Sequence, residues 1–421
     1  MLFVVNALPM NGGSTFLIRI CRELSKKGTR PGVLVLFNKN DPEIIKELKK
    51  YADIYWLSGF SYPPLRFLYR AQLGIFLPLR LACIYTQICK YKHVHVMGVF
   101  GLLFFIRIFS SCFFRKKDYK AKLSVGIYHQ NEFMYSAPSF YFSKYAQKAF
   151  KSLEKKSIIF FNENSVSNYS KFFNTDYSDS SILPVGISIN VNQASIGSSS
   201  SNRIVSIGQL YNFKTYNEHV IKCMPGLLKE NKQLIYEIYG EGSEMQRLKQ
   251  LSRELNIQGA VFFKGVIEYS EIPAVLKDCL VFIGSGTAII EAASYGIPSI
   301  IGIESCKEPI TYGFFSNAAG FSYHEYVPEK KTFFLSDILL EVVSNSKVWE
   351  NESVACKEKS FEFSIDKTVD GFISCYEEMS LYAVSYRYFN VRAFLSFVSC
   401  AVLDYIGVDK SFSNRRDQGL N

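Results

Sequence analysis

The sequence runs to 421 residues, 48% of them hydrophobic and 20% charged. That balance excludes a disordered or fibrous chain, and the length predicts two domains of ordinary size. Its ten cysteines are scattered, with no CxxC pair or Cys/His cluster of zinc spacing and no cleavable leader, which excludes a disulfide scaffold and predicts reduced thiols in a cytosolic setting.

The chain opens with an apolar strand at 2–5. The turn Asn11, Gly12, Gly13, Ser14 follows, then a helix carrying Leu17, Ile20 and Leu24 on one face. Further apolar strands are predicted at 31–37, 54–57, 93–97, 123–128, 157–161 and 181–185, with helical segments between them. Such alternation predicts a parallel sheet covered on both faces. Gly12 and Gly13 permit close backbone approach to a ligand, and a tight turn between strand and helix explains them equally. His129 ends the 123–128 run, with Glu132 close behind. His93 and His95 alternate along a strand, either as satisfied core histidines or as a wall of a ligand site.

The formal charge of +10 has one source. Between Gly59 and Lys122 stand eleven basic residues, among them Arg66, Arg70, Arg115, Lys116 and Lys117, against the single acid Asp118. The span is rich in Phe, Leu, Ile and Tyr. Two readings fit: a membrane-surface contact, or a buried helix pair with solvated lysines at its ends. Residues 97–114 approach the length of a membrane span. Arg107 lies inside the run, and a central arginine is costly there. A core strand followed by a core helix explains it better.

Residues 190–203, with four serines in a row, read as a linker or exposed loop. The alternation restarts with strands at 204–210, 234–239, 260–263, 280–283 and 299–303, and helices at 243–255 and 271–278. Beyond Asp366 the pattern is helical and aromatic: Val369, Phe372, Ile373 and Tyr376, then 386–403, then a polar tail at 411–421. The predicted divisions are 1–187, 188–203 as linker, 204–365, and 366–421. Two doubly wound α/β domains result, with ligands expected beyond the carboxyl ends of the strands, in a cleft.

The most informative stretch is 280–302, LVFIGSGTAIIEAASYGIPSIIG. It reads as strand, glycine turn, helix, strand. Free N–H groups at a helix start and the helix dipole together favour an anion, so Ser285, Gly286 and Thr287 form a candidate phosphate site. Glu291, about one turn into the helix, is placed to accept hydrogen bonds from sugar or ribose hydroxyls.

This stretch resembles the donor-site signature of retaining, nucleotide-sugar-dependent glycosyltransferases of family 4, which have the GT-B fold; the likeness extends over about 204–312. The resemblance implies two Rossmann-like domains with the last helices crossing back to the first. It implies a nucleoside-diphosphate-sugar donor and a hydroxyl acceptor. In the family pattern a basic residue after the first glycine and a loop lysine bind the diphosphate; here those positions hold Gln209 and Lys214. Gly240 and Gly242 match a strand-end glycine turn near the nucleotide, and Val261 to Gly265 with Ile272 and Pro273 match the flank of the base pocket. Glu291 takes the ribose or donor-hydroxyl contact. The partner glutamate eight positions earlier falls at Ile283, so its contact passes to backbone N–H groups, Ser285 or Thr287, or is absent.

Gly12 and Gly13 match the acceptor-side glycine loop, and His129 the histidine near the reacting carbon. Catalytic roles therefore fall to His129, Lys214 and Glu291. No Asp-x-Asp motif occurs, so neither metal nor cofactor is expected. The basic, aromatic first half suggests a lipid-linked saccharide acceptor in bacterial surface polysaccharide assembly, met by a cytoplasmic enzyme on an anionic membrane face, with no nucleic acid partner. A GT-B nucleotide-sugar epimerase and a degenerate assembly partner stay open as alternatives.

Overall fold

The computed structural model describes residues 1–65, 72–129, 131–134, 141–190, 192–383 and 391–409. Arg66, Arg70, part of the 386–403 segment and the 411–421 tail therefore lie outside the described residues. The chain forms two compact units, Met1–Leu183 with Thr368–Asn421, and Pro184–Lys367. Each unit is built on one parallel sheet.

The first unit begins β1 (Leu2–Val5), α1 (Gly12–Lys26), β2 (Gly32–Val35), α2 (Pro42–Leu48) and β3 (Asp53–Trp56). It continues α3 (Leu81–Ile88), β4 (His93–Met97), α4 (Val99–Phe109), α5 (Cys112–Lys116) and β5 (Lys122–Ile127). It closes with α6 (Tyr141–Lys151), β6 (Ile158–Phe160), α7 (Glu163–Phe173) and β7 (Ser181–Ile182). The strand order is β3-β2-β1-β4-β5-β6-β7. Every residue of β1 and β2 is buried, as strands covered on both faces must be.

The run at 97–114 is core. All of α4 except Arg107 is buried. Gly101 lets the helix lie close on the sheet, since a Cβ there would stand 3.2 Å from Val96 Cβ and 3.3 Å from Val4 O. Arg107 is satisfied inside the protein: its guanidinium donates to the carbonyls of Ile75 and, at 2.7 Å, Leu77. Among the described residues no helix is long and apolar enough to cross a membrane.

Most described aromatic residues of the basic span are likewise internal. Phe100, Phe104, Phe105, Phe109, Phe114 and Tyr119 are buried, while Arg115, Lys116, Lys117 and Lys120 are exposed. Of the two readings of the span, the described part follows the buried helix with solvated cations at its end.

The second unit runs β8 (Arg203–Ile207), α8 (Tyr216–Glu230), β9 (Ile235–Tyr239), α9 (Met245–Glu254), β10 (Val261–Gly265) and α10 (Ile272–Leu276). Then come β11 (Val281–Gly284), α11 (Gly286–Ser294), β12 (Ser299–Ile301), the short pair β13 (Ile310–Thr311) and β14 (Phe333–Phe334), α12 (Leu335–Ser344) and α13 (Ser346–Ser360). The order β10-β9-β8-β11-β12 is again parallel.

The predicted linker at 188–203 needs correction. Ile196 N donates to Tyr295 O and Ser198 N to Cys279 O. A Cβ on Gly197 would meet Cys279 O, Ile297 and Trp349, each at 3.1 Å. Gly197 stands here because the backbone packs closely on the second unit, while Ser195, Ser199 and Ser200 are exposed, as in the exposed-loop reading.

Two helices follow, α14 (Ile365–Glu378) and α15 (Val391–Tyr405). From Thr368 onward they belong to the first unit. Phe372 lies edge-on to His95 at 4.9 Å. Lys122 Nζ donates to the carbonyls of Tyr376 and Glu377 at the end of α14, a cation satisfying orphan carbonyls at a helix C-terminus.

Candidate functional site

Strand order fixes where a ligand can bind. In the second unit the chain goes from β8 outward through β9 to β10, then returns past β8 to β11 and β12. The switch point lies between β8 and β11, and in open α/β sheets the binding crevice opens at the carboxyl ends beside it. Two predicted motifs end there. The strand predicted at 204–210 stops at Ile207, because Gly208 takes φ +155° and turns the chain into the loop that carries Gln209 and Lys214.

Lys214 folds back over this turn. A Cβ on Gly208 would lie 3.0 Å from Lys214 Nζ. Lys214 is half-buried, and among the described residues its ammonium has no hydrogen-bond or ion-pair partner. A partly desolvated cation without a partner beside a switch point is poised for an anion. Gln209 is exposed and adds no charge.

Across the switch point, α11 starts at Gly286, whose φ of +61° makes the sharp entry. Ser285 holds the N-cap position yet makes no capping hydrogen bond. Its Oγ instead donates to Glu304 Oε1 at 2.5 Å. The first-turn N–H groups at Gly286 and Thr287 therefore have no side-chain cap, which suits an anionic ligand. Tyr323 fixes the entry by donating to Gly286 O at 2.8 Å.

Glu304 is a site residue that sequence reading missed. It sits just beyond β12, with its side chain 24% exposed and 4.0 Å from His324 Nε2. Ser305 N donates to Phe213 O at 2.6 Å, which seats the Glu304 loop against the Lys214 loop. The motif frame offers no acid at Ile283, and the fold brings one from the next strand. A sequence signal existed only as the first acid after the strand predicted at 299–303.

Glu291 is buried at 6% exposure, and Tyr269 OH donates to its Oε1 at 2.8 Å. A buried carboxylate held by a hydroxyl can orient its remaining lone pairs toward a ligand.

Gly240 and Gly242 serve a purpose the motif did not announce. Gly240 N donates to Gly265 O, and Leu210 N to Glu241 O. A Cβ on Gly240 would fall 1.9 Å from Gly208 O, and one on Gly242 2.2 Å from Leu210 O. Both glycines exist so that the loops after β8 and β9 can touch, which holds Gln209 and Lys214 in place.

The first unit has its own switch point, between β1 and β4. Gly12 and Gly13 start α1 there, with Asn11 Oδ1 capping Ser14 N at 3.0 Å. Nothing lies within 4 Å of a Cβ built on Gly12, so this loop borders open space. The helix start at the switch point itself is filled: Glu132 Oε1 accepts from Val99 N at 3.1 Å. Glu132, a candidate from sequence, is thus the acid that caps α4.

His129 lies just past β5 and is half-buried. Its Nδ1 accepts from Asn131 N at 3.3 Å and its carbonyl from Glu132 N. That fixes the ring orientation at the carboxyl edge of the sheet. Gln130 lies outside the described residues.

His93 and His95 are core. Both rings hydrogen-bond Ser124 Oγ, at 2.8 and 2.9 Å, and His95 Nε2 meets Tyr128 OH at 2.8 Å. Burial pushes His95 down to about 3 and His93 well below its ordinary value. Buried neutral imidazoles form no acceptor wall, and the reason is the sheet cover supplied by Phe372 and Tyr376.

Residues 190–308 match the family model of glycosyl transferases group 1. No curated protein matches the chain. Solved structures match nearly all of it. The lipopolysaccharide outer core galactosyltransferase WaaB in its apo form is 14% identical, with 89% of this chain and 99% of that one covered and a TM-score of 0.57. Anabaena HepE in complex with UDP-glucose is 13% identical over 89% and 99%, with a TM-score of 0.59. The pneumococcal O-GlcNAc transferase GtfA in complex with UDP and GlcNAc is 11% identical over 90% and 99%, with a TM-score of 0.58. At these identities the likeness is one of architecture: the chain has the GT-B fold, two Rossmann-like α/β domains with helices after the second sheet belonging to the first unit.

Proposed function

We propose that the protein is a retaining glycosyltransferase that moves a hexosyl group from a nucleoside-diphosphate sugar to a hydroxyl of a lipid-linked saccharide in bacterial surface polysaccharide assembly. The observation that carries this reading is the Lys214 ammonium, without a partner among the described residues, beside the turn at Gly208 at the switch point, together with a helix start at α11 that its own N-cap serine leaves uncapped. Group 1 similarity over the same segment supports it, as do the UDP-glucose in HepE and the UDP in GtfA.

In this reading Lys214 and the first N–H groups of α11 stabilise the charge that grows on the leaving diphosphate. Glu291 accepts from ribose or sugar hydroxyls. Gly12, Gly13 and His129 serve the acceptor side, and the leaving phosphate helps deprotonate the acceptor on the same face, so no metal or cofactor takes part. The protein works at the cytoplasmic face of an anionic membrane.

The test is titration calorimetry across a panel of nucleoside-diphosphate sugars, followed by product anomer analysis by NMR. One donor should bind and be turned over with retention. Lys214→Ala and Glu291→Ala should each weaken binding or turnover at least tenfold, about 1.4 kcal/mol, with unchanged melting. No binding by any donor would overturn the reading.

A further inference from the structure

Phe100, Phe104, Phe105, Phe109, Phe114 and Tyr119 of the basic span are buried, while Tyr62 is 47% exposed. Of the large apolar side chains that the described part of the first unit leaves in solvent, Met10, Tyr62, Tyr141 and Leu381 stand elsewhere, and the others gather on its last described helix and the turn after it. Val391, Leu395, Val402, Tyr405 and Ile406 are between 51% and 92% exposed. Their spacing follows the helical period and places them on one face of α15 and the turn that ends it. The opposite face, Ala393, Phe397 and Cys400, is buried. Phe397 packs against Phe76, Phe100 and Phe142 at ring distances of 5.2, 5.7 and 5.1 Å. Helix α15 is therefore doubly apolar: one side anchors it and the other faces water.

The neighbouring helix supplies the charge. Phe142 N donates to Ser396 Oγ at 3.1 Å, which lays α6 alongside α15. Lys144, Lys148 and Lys151 stand exposed on α6 at helical spacing, and α6 contains no acid. Arg392 is exposed on α15, whose one acid is Asp404.

We infer that the outward face of α15, flanked by the lysine row of α6, is the surface by which this protein lies on an anionic bilayer. An apolar stripe beside a cation row is what an interfacial helix presents: the stripe enters the acyl boundary and the cations meet lipid phosphates. A second copy of the chain would set like-charged rows against each other. The inference rests on the proposed membrane contact, moves it to named residues, and is independent of donor chemistry.

Flotation of the full-length protein with vesicles of phosphatidylcholine, with and without 30% phosphatidylglycerol (roughly, to give a strong negative surface potential), tests it. Wild type should float with anionic vesicles at low salt and less so at high salt. Leu395→Glu with Val402→Glu should cut the bound fraction at least tenfold, with donor binding and melting unchanged. Lys144→Gln, Lys148→Gln and Lys151→Gln together should remove the preference for anionic lipid.

If the glutamate pair floats like wild type while Arg115→Glu, Lys116→Glu and Lys117→Glu abolish binding, the inference falls and the membrane reading survives. If wild type stays in solution with anionic vesicles at low salt, both fall. A dimer in light scattering that the glutamate pair dissolves would assign the face to a second copy and overturn the inference.

Discussion

A carboxylate beside an anion-binding helix start is an electrostatic contradiction unless it addresses a different part of the ligand. Glu304 accepts from Ser285 Oγ at 2.5 Å at the start of α11, where Lys214 and free N–H groups favour negative charge. A carboxylate and a phosphate in direct contact would repel, whereas a carboxylate and sugar hydroxyls pair well. Glu304→Gln is therefore expected to weaken binding of the nucleotide sugar by about fivefold to tenfold, roughly 1–1.4 kcal/mol, and to leave affinity for the bare nucleoside diphosphate unchanged. Calorimetry with both ligands separates the two. Equal losses for both would mean that Glu304 acts only by holding Ser285. The same logic explains why the frame tolerates Ile283: the acid need not come from the same strand if the next one delivers it.

At the scale of elements, β4 and β5 enclose a polar pair that titrates against the fold. His93 and His95 share Ser124 Oγ between two strands, and burial holds both neutral, His95 down to about 3. In the unfolded chain each takes up a proton near 6.5. The unfolded state thus binds more protons than the folded one below that pH. Stability from this pair is complete well above 6.5 and is lost as pH falls below it. The melting transition of the first unit should move down steeply between pH 6.5 and 4.5, and less steeply in His95→Gln. A transition that stays level over this range in wild type would show that the pair does not remain neutral in the fold. The glycine turns teach a related lesson. At Gly240 and Gly242 the carbonyls of Gly208 and Leu210 fill the space a Cβ would need. The two glycines act by letting the loop after β9 press on the loop that carries Lys214.

For the whole molecule, the division of labour follows from the two switch points. In the second unit the N-cap serine of α11 makes no capping hydrogen bond, and the Lys214 ammonium lies beside the turn at Gly208. In the first, Glu132 caps the corresponding helix start. The proposed diphosphate site belongs to the second. Because fixed cationic and dipolar groups there can meet the leaving charge, transfer is expected to proceed at an unchanged rate in excess chelator. Radiolabelled sugar incorporation with and without EDTA is the measurement. Loss of activity restored by magnesium or manganese would place a divalent ion in the mechanism.

The alternation of apolar runs with helix-period segments was enough to define two parallel sheets, because strand burial and helix amphipathicity are local patterns that survive in one dimension. The glycine turn at 284–286 and Glu291 were legible for the same reason: a helix start and an acid one turn later lie within ten residues. Strand order decided the rest. Glu304 reaches Ser285 only because β12 lies beside β11, and Lys214 covers Gly208 only because the loop folds back on its own strand. The serine-rich segment after Asn190 looked like a linker because polarity resembles exposure, yet its backbone is fastened to Cys279 and Tyr295. Composition likewise left two readings open for 59–122, a membrane surface or a buried helix pair, since sequence cannot tell a buried phenylalanine from an exposed one. Packing decided the described part: it drew the aromatics of α4 inward and left apolar side chains of α15 exposed.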